Sequence, residues 1–466
     1  MREIETDYLV VGAGASGVAF TDTLLSLNDE ARVVIVDREE RPGGHWLHAY
    51  PFVRLHQPSA YYGVASRLLG EDRILTDGPD AGTYERATAP EICAHFGAAL
   101  DEMVDGGRVT FLGGADYRGS DADGHTVVSP ATGETTRVRA RRLVDATYVE
   151  SEIPSRHTPP YEVEEGVRLV PPNELVDLAD APAFTVLGAG KTAMDTCGWL
   201  VEQGVDPDRV RWVKPREAWL FARSFMQPRE LVSSYMQMQG YWVRAAAEAA
   251  DGSDFAHRLG ADGVFVRVDP GVEADQFRGA TISLRELEGL RSLENVVRLG
   301  KVRRIGTQSL ALDGGEVPAQ PGEVYVDCTA SGLQATEHRP VFEPGRINLE
   351  YVTIGITPYS AATVAAVEAT REDDAEKNRL CPPLHWTGRT ADVLQLAHAG
   401  MVGITARLGM PELSAWSESC RLNPAAGAMA KAADPEISAA LTMMITHMGG
   451  AMENLAARTR EPASVD

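Results

Sequence analysis

Apolar residues follow two rhythms along this chain: short unbroken runs that predict buried strands, and longer stretches at helical spacing. The first run, Tyr8–Val11, passes through a glycine-rich turn into a helix reaching about Leu27, and Arg32–Asp37 (RVVIVD) predicts the next strand. That is a β-α-β unit. Residues 38–90 are irregular and rich in proline, glycine and aromatics. Pro90–Val104 predicts a helix, Arg108–Leu112 and His125–Val128 two short β stretches, and Arg142–Thr147 (RLVDAT) a strand. Residues 151–182 carry many prolines and acids and read as a connection. A second β-α-β opens at Phe184–Leu187, with a helix from about Lys191 to Gln203 and a strand at Arg209–Lys214. Helix over 224–260 follows, then strands within Val296–Leu312, at Glu323–Cys328 and at Ile347–Ile354, and a helix over Ser360–Glu372. From Arg389 the pattern predicts three helices broken near Pro411 and Pro435. Leu441–Met452, rich in methionine, reads as core or an oligomer interface.

A net charge of -23 argues against nucleic acid or an anionic membrane as a partner. No apolar run is long enough to span a bilayer. The amino terminus enters a strand without a basic, then apolar, leader, and the five cysteines are scattered with no C-x-x-C spacing, so a cytoplasmic protein without a metal site is expected.

The first turn reads VVGAGASG. Gly12 permits the tight turn, Gly14 lets the backbone approach a pyrophosphate, and Gly17 lets helix and strand pack closely. Ala15 and Ser16 open the helix, whose free N–H groups favour phosphate. Asp37 ends the second strand, where a carboxylate can accept from ribose hydroxyls; Arg38 follows it. An acid there suits FAD or NAD and repels a 2′-phosphate. The second turn, TVLGAGKTAMD, places Gly188, Gly190 and Ala193 at the fingerprint positions, with Lys191 and Thr192 opening the helix. Its second strand ends in Lys214 and Arg216 (VRWVKPRE), cations that can pair with a 2′-phosphate, which implies NADPH.

Residues 41–46 (RPGGHW) and 50–59 (YPFVRLHQPS) resemble flavin-containing monooxygenases and their Baeyer–Villiger relatives, the class B flavoprotein monooxygenases; RLHQP is similar to the R-L-H-L-P of YUCCA-type enzymes. The resemblance implies FAD on the first domain, with Gly44, His45, Trp46, Arg54, Gln57 and Ser59 beside it, and NADPH on the second. It implies that Val326–Leu333 (VDCTASGL) returns the chain to the FAD domain with Thr329, and that the helix from Ser360 points its N-terminus at the flavin. Two departures mark a separate branch: Ala146-Thr147-Tyr148 stands where the group has A-T-G, and His56 where Baeyer–Villiger enzymes have Asp.

The expected fold class is α/β: two Rossmann-like dinucleotide-binding domains, for FAD and NADPH, with a helical C-terminal region. The expected boundaries are 1–155 with 325–375 for FAD, an inserted 156–324 for NADPH, and 376–466 for the helices. The implied activity is a monooxygenase that consumes NADPH and O2 and transfers one oxygen atom to a small organic substrate through a C4a-(hydro)peroxyflavin. Arg54, His56, Gln57 and Arg278 are the catalytic candidates. A reductase, dehydrogenase or oxidase without oxygen transfer, and a non-catalytic flavoprotein, share the same fingerprints. A homodimer is left open. The stretch Trp219–Met238 and the C-terminal helices are candidates for the pocket wall, with core packing as the alternative reading.

Overall fold

The computed structural model describes residues 2–78, 80–178, 180–332 and 336–459. Strand β1 (Arg2–Val11) runs into helix α1 (Ala15–Leu27) and back through β2 (Val33–Val36). All four residues of β2 are buried, as a strand covered on both faces requires. Helix α2 (Ala89–Asp105) starts at a capping box in which Thr88 and Glu91 satisfy each other's orphan groups. It leads to β3 (Val109–Leu112), β4 (Asp116–Asp121), β5 (Gly124–Val128) and β6 (Thr135–Asp145).

The second unit holds the short strands β7 (Glu162–Val163) and β8 (Leu169–Val170), then β9 (Ala183–Leu187), α3 (Lys191–Glu202) and β10 (Val210–Val213). Next come β11 (Glu217–Ala222), α4 (Val232–Glu248), α5 (Gly252–Ala261), β12 (Phe265–Val266), β13 (Ala274–Ile282) and α6 (Leu284–Arg291). It closes with β14 (Val296–Val297), β15 (Val302–Ile305), β16 (Ser309–Leu312), β17 (Gly315–Pro318) and β18 (Glu323–Asp327). The chain then returns to the first unit through β19 (Phe342–Glu343) and β20 (Arg346–Asn348), followed by α7 (Thr357–Thr370), α8 (Asp374–Leu380), α9 (Val393–Leu408), α10 (Pro411–Ser419) and α11 (Pro435–Arg458).

The first sheet has the order β19-β20-β6-β1-β2-β3, with the β4–β5 hairpin attached through β5 to β6. The second, β14-β10-β9-β18-β8, is wholly parallel. Strand β18 therefore belongs to the second unit. The expected return at Val326 is displaced to β19, and the boundary expected at 325 moves with it; Leu333, the end of that expected stretch, lies outside the described residues. The two units share a local design that explains the misreading. Val144-Asp145-Ala146-Thr147 ends β6 and Val326-Asp327-Cys328-Thr329 ends β18. In each, the aspartate Oδ1 accepts from the backbone N–H (3.0 Å) and the hydroxyl of the threonine two residues on.

The three C-terminal helices expected from the proline breaks are present as α9, α10 and α11. Leu394, Met401, Ala451 and Leu455 bury against Phe221, Met238, Trp242, Phe255 and Phe277 in one aromatic core. Most of Trp219–Met238 is thus core, and Met444, Met448 and Met452 of the methionine-rich stretch pack onto it. Among the described residues no helix is long and apolar enough to cross a membrane.

Candidate active site

The first fingerprint turn is held by β2 and β6. Gly12, at φ +107°, donates its N–H to the Val36 carbonyl (2.8 Å), a backbone conformation that only glycine adopts without strain. A Cβ on Gly17 would lie 2.0 Å from the Gly12 carbonyl oxygen, so α1 can approach β1 only with glycine there. Helix α1 has Gly14 as its N-cap, no side-chain cap and no acid in its first turn. Its first N–H groups are left for a ligand, in contrast to the boxed start of α2. The Asp37 carboxylate accepts from the Ala13 N–H (2.5 Å) and the Glu39 N–H (2.8 Å), which sets it beside the turn. Gly43 donates to the Ala13 carbonyl (3.0 Å), and a Cβ on Gly44 would stand 3.0 Å from the Gly14 Cα. The RPGGHW segment therefore closes onto the fingerprint.

The second turn repeats the plan. Gly188 (φ +133°) donates to Val213 (3.0 Å), and Trp212 Nε1 donates back to the Gly188 carbonyl (2.8 Å). Helix α3 has Gly190 as its N-cap, again with no side-chain cap and no acid in the first turn. A Cβ on Gly190 would meet no protein atom within 4 Å, so the protein's own packing does not demand that glycine. Ala193 is fully buried under the turn.

Beside the second turn lies a cavity of about 750 Å³, walled by residues of both units and by the segment before α9; the glycines of the first turn do not line it. Of the expected residues it brings together His45, Trp46, His56 and Gln57 from the first unit with Gly188, Gly190, Lys191, Thr192, Arg216, Arg278 and Thr329 from the second. The imidazole of His56 and the amide of Gln57 make no hydrogen bond among the described residues and face this space. Burial, reinforced by the cations Lys191, Arg223 and Arg86, holds the His56 pKa down at about 3, so the ring is neutral. Trp46 donates its indole N–H to the Tyr62 hydroxyl (2.8 Å), fixing an aromatic wall.

Other expected residues are placed elsewhere. Lys214 is fully buried with its ammonium on Glu217 and does not line the cavity, so it cannot reach a nucleotide there. Arg54 points outward, bonding the Arg86 carbonyl (3.2 Å). Arg38 is exposed and paired with Glu150. Ser59 accepts from the Ala87 N–H (2.7 Å) inside the loop. Ser360 sits one turn into α7, which starts at Thr357, and its hydroxyl is engaged by the 352–353 backbone and by Thr353 Oγ1 (2.7 Å). With Ser16, Tyr351 and Glu350 it lines a smaller cleft where α1 and α7 begin, while Thr357 itself reaches the large cavity.

The structure also supplies residues that the motifs did not single out. Lys301, after β14, lines the cavity as Arg216 does, and neither side chain has an ion pair among the described residues. The Lys191 ammonium is paired with Asp195 one turn on, and the Tyr50 hydroxyl donates to the same carboxylate (2.8 Å). Lys191 is thus held at the junction of the two units. The Lys191–Asp195 spacing was visible in the helix; the contact with Tyr50 joins distant parts of the chain. Tyr351 and Trp386 complete the aromatic wall, their rings at 65° with centroids 5.8 Å apart.

No family model matches the chain. It is 43% identical over 424 residues to the uncharacterized protein Rv2000 of Mycobacterium tuberculosis, an alignment covering 91% of this chain and 78% of that one. The chain belongs to the family of Rv2000. This Rv2000-family chain also has the fold of the class B flavoprotein monooxygenases. It is similar to the polycyclic ketone monooxygenase of the fungus Thermothelomyces thermophila, with a TM-score of 0.53, 12% identity, and coverage of 97% of this chain and 90% of that one. It is similar too to a steroid monooxygenase solved with NADP, at a TM-score of 0.51 and 14% identity over 78% of this chain and 84% of that one.

Proposed function

We propose that this Rv2000-family protein is an FAD-dependent, NADPH-consuming monooxygenase that transfers one oxygen atom from O2 to a small organic substrate. The observation that carries the reading is the pair of uncapped glycine turns, the first beside Asp37 and the second on the wall of a cavity that Arg216 and Lys301 also line without ion pairs among the described residues. The names of the similar structures, a polycyclic ketone monooxygenase and a steroid monooxygenase with NADP, support it.

Residues at both turns fit a dinucleotide. On the first, the α1 N–H groups would hold a pyrophosphate and Asp37 would accept from the adenosine ribose, with Gly44 and Trp46 alongside. On the second, the open space at Gly190 leaves room for a pyrophosphate, and Arg216 with Lys301 would hold the 2′-phosphate, in place of Lys214. Once bound, NADPH supplies the hydride and FAD the oxygen-activating ring.

The chain's own part is to bind, orient and shield. Gln57 and neutral His56 offer hydrogen bonds without bringing a charge to the cavity. Lys191, ion-paired with Asp195, presents positive charge where the two units meet. Trp46, Tyr62, Tyr351 and Trp386 exclude water from the reacting end and suit an apolar or aromatic substrate.

The test is a substrate screen under 18O2 with NADPH, scored by mass spectrometry. Product carrying one labelled oxygen per NADPH consumed is expected. NADPH consumption that yields only hydrogen peroxide overturns the monooxygenase reading in favour of a reductase or oxidase.

A further inference from the structure

Behind the cavity wall, on the far side of the peptide that carries His56, lies a buried cluster of four charges. The Arg223 side chain is fully buried. Its Nη1 donates to Asp80 (2.6 Å), its Nη2 to Glu286 (2.6 Å) and its Nε to the His56 carbonyl (3.1 Å). Arg86 pairs with Asp80, approaches Glu286 (3.3 Å) and donates to the Leu55 carbonyl (3.0 Å). The Thr281 hydroxyl donates to the same His56 carbonyl. Glu286 is fixed in turn by its capping box with Ser283 at the start of α6. Two arginines and two carboxylates leave the cluster neutral, and each guanidinium also bonds a backbone carbonyl.

Buried ion clusters add little net stability relative to apolar packing, and their best-attested benefit is a defined geometry. The geometry defined here is that of the Leu55-His56-Gln57 backbone. Its origin is unequal: Asp80 and Arg86 come from the first unit, whereas Arg223, Thr281 and Glu286 come from the second. The His56 carbonyl, on the first unit's cavity-lining loop, is gripped among the described residues only by second-unit side chains. A further contact runs the same way: Gln227 donates to the Arg223 carbonyl (2.8 Å) and accepts from the Tyr84 N–H (2.9 Å).

We infer that Arg223 and Thr281 are positioning residues through which the nucleotide-carrying second unit sets His56 and Gln57 against the reacting end of the cavity. The inference rests on the proposed function for its consequence in turnover, but the grip on the loop stands on the geometry alone. Neither side chain lines the cavity, so both act through the His56 peptide.

The experiment uses the full-length protein with FAD. Thr281→Val keeps the side chain's shape and removes one of the two donors to His56. Thr281→Ser restores it. Arg223→Lys keeps the charge but loses the fork, and Thr281→Val keeps the test open should Arg223→Lys not fold. Two readouts are taken: hydrogen–deuterium exchange of a peptide spanning 54–59, and anaerobic bleaching of the flavin by NADPH. In Thr281→Val, exchange across 54–59 is expected to quicken about tenfold, and bleaching at saturating NADPH to slow about tenfold with NADPH affinity unchanged. Thr281→Ser should behave as the parent protein. Wild-type exchange in Thr281→Val overturns the grip. Quickened exchange with wild-type bleaching overturns the positioning role and leaves a structural contact. If NADPH fails to bleach the parent protein, the proposed function falls, and the exchange arm still decides whether the loop is held.

Discussion

The Lys214 ammonium lies 2.6 Å from each carboxylate oxygen of Glu217, and neither side chain is exposed. Strand β10 ends at Val213 and β11 begins at Glu217, so the turn between them folds both side chains inward. Arg298 extends the group, bonding Asp269 (2.9 Å) and approaching Glu217 (3.5 Å). Burial pushes the Lys214 pKa down and Glu217 opposes that shift. Lys214 is a structural cation.

Lys214→Ala is therefore expected to destabilise the protein by about 3–5 kcal/mol, because it strands the Glu217 carboxylate in the interior. Chemical denaturation measures this. The preference for NADPH over NADH should not change; a lost preference with intact stability would return Lys214 to the nucleotide site.

Arg216→Ala and Lys301→Ala should do the reverse. Both side chains reach solvent and lack ion pairs among the described residues, so stability should hold. Each loses a charge-assisted contact worth roughly 1.5 kcal/mol, or about tenfold in affinity. Titration with 2′,5′-ADP and 5′-ADP reads this directly. The expected outcome is weaker binding of the first nucleotide only, and equal weakening of both would refute the assignment.

What the sequence disclosed follows the range of the forces involved. Gly12, Gly14, Gly17 and Asp37 act within one β-α-β unit, so their spacing was enough to find the turn. Lys214 and Arg216 both looked like nucleotide cations, and only the β10–β11 turn decides which side chain faces inward. Val326–Asp327 was misassigned because each unit ends its closing strand with the same Asp-x-Thr hydrogen bonding. A motif present twice cannot by itself say which sheet it joins. The Arg223 cluster draws on residues from four separated stretches, and no local pattern announces it.

Two glycines of the second turn make a paired test. Gly188 is required by the protein: its φ is +133°, and a Cβ would lie 2.5 Å from the Cys328 carbonyl oxygen. Gly190 is not, since a Cβ there meets no protein atom within 4 Å. Gly188→Ala should lower the melting temperature and the yield of folded protein. Gly190→Ala should cost at most about 1 kcal/mol of stability, the loss of a favourable N-cap residue, yet weaken NADPH at least tenfold by occupying the space for the pyrophosphate. Wild-type NADPH affinity in folded Gly190→Ala would show that no pyrophosphate lies there.

Glu350 carries a pH dependence of definite sign. It lies in the cleft between the first turns of α1 and α7, beside Ser16 and Ser360, and burial raises its pKa from 4.5 to about 7. A bond from the Tyr351 N–H (2.8 Å) opposes the shift without cancelling it. Between those two values the folded protein holds a proton that the unfolded chain has released. Stability is therefore full below the unfolded pKa, falls as pH rises through the window, and levels off above the folded pKa. The shift corresponds to roughly 3 kcal/mol across the window. Glu350→Gln should remove that slope, so urea midpoints for variant and parent should diverge from pH 5 to about pH 7 and then run level, with the variant the more stable at the alkaline end. Parallel curves would mean that the carboxyl is already charged in the folded state, and that Ser16 and Ser360 share their cleft with a solvated anion.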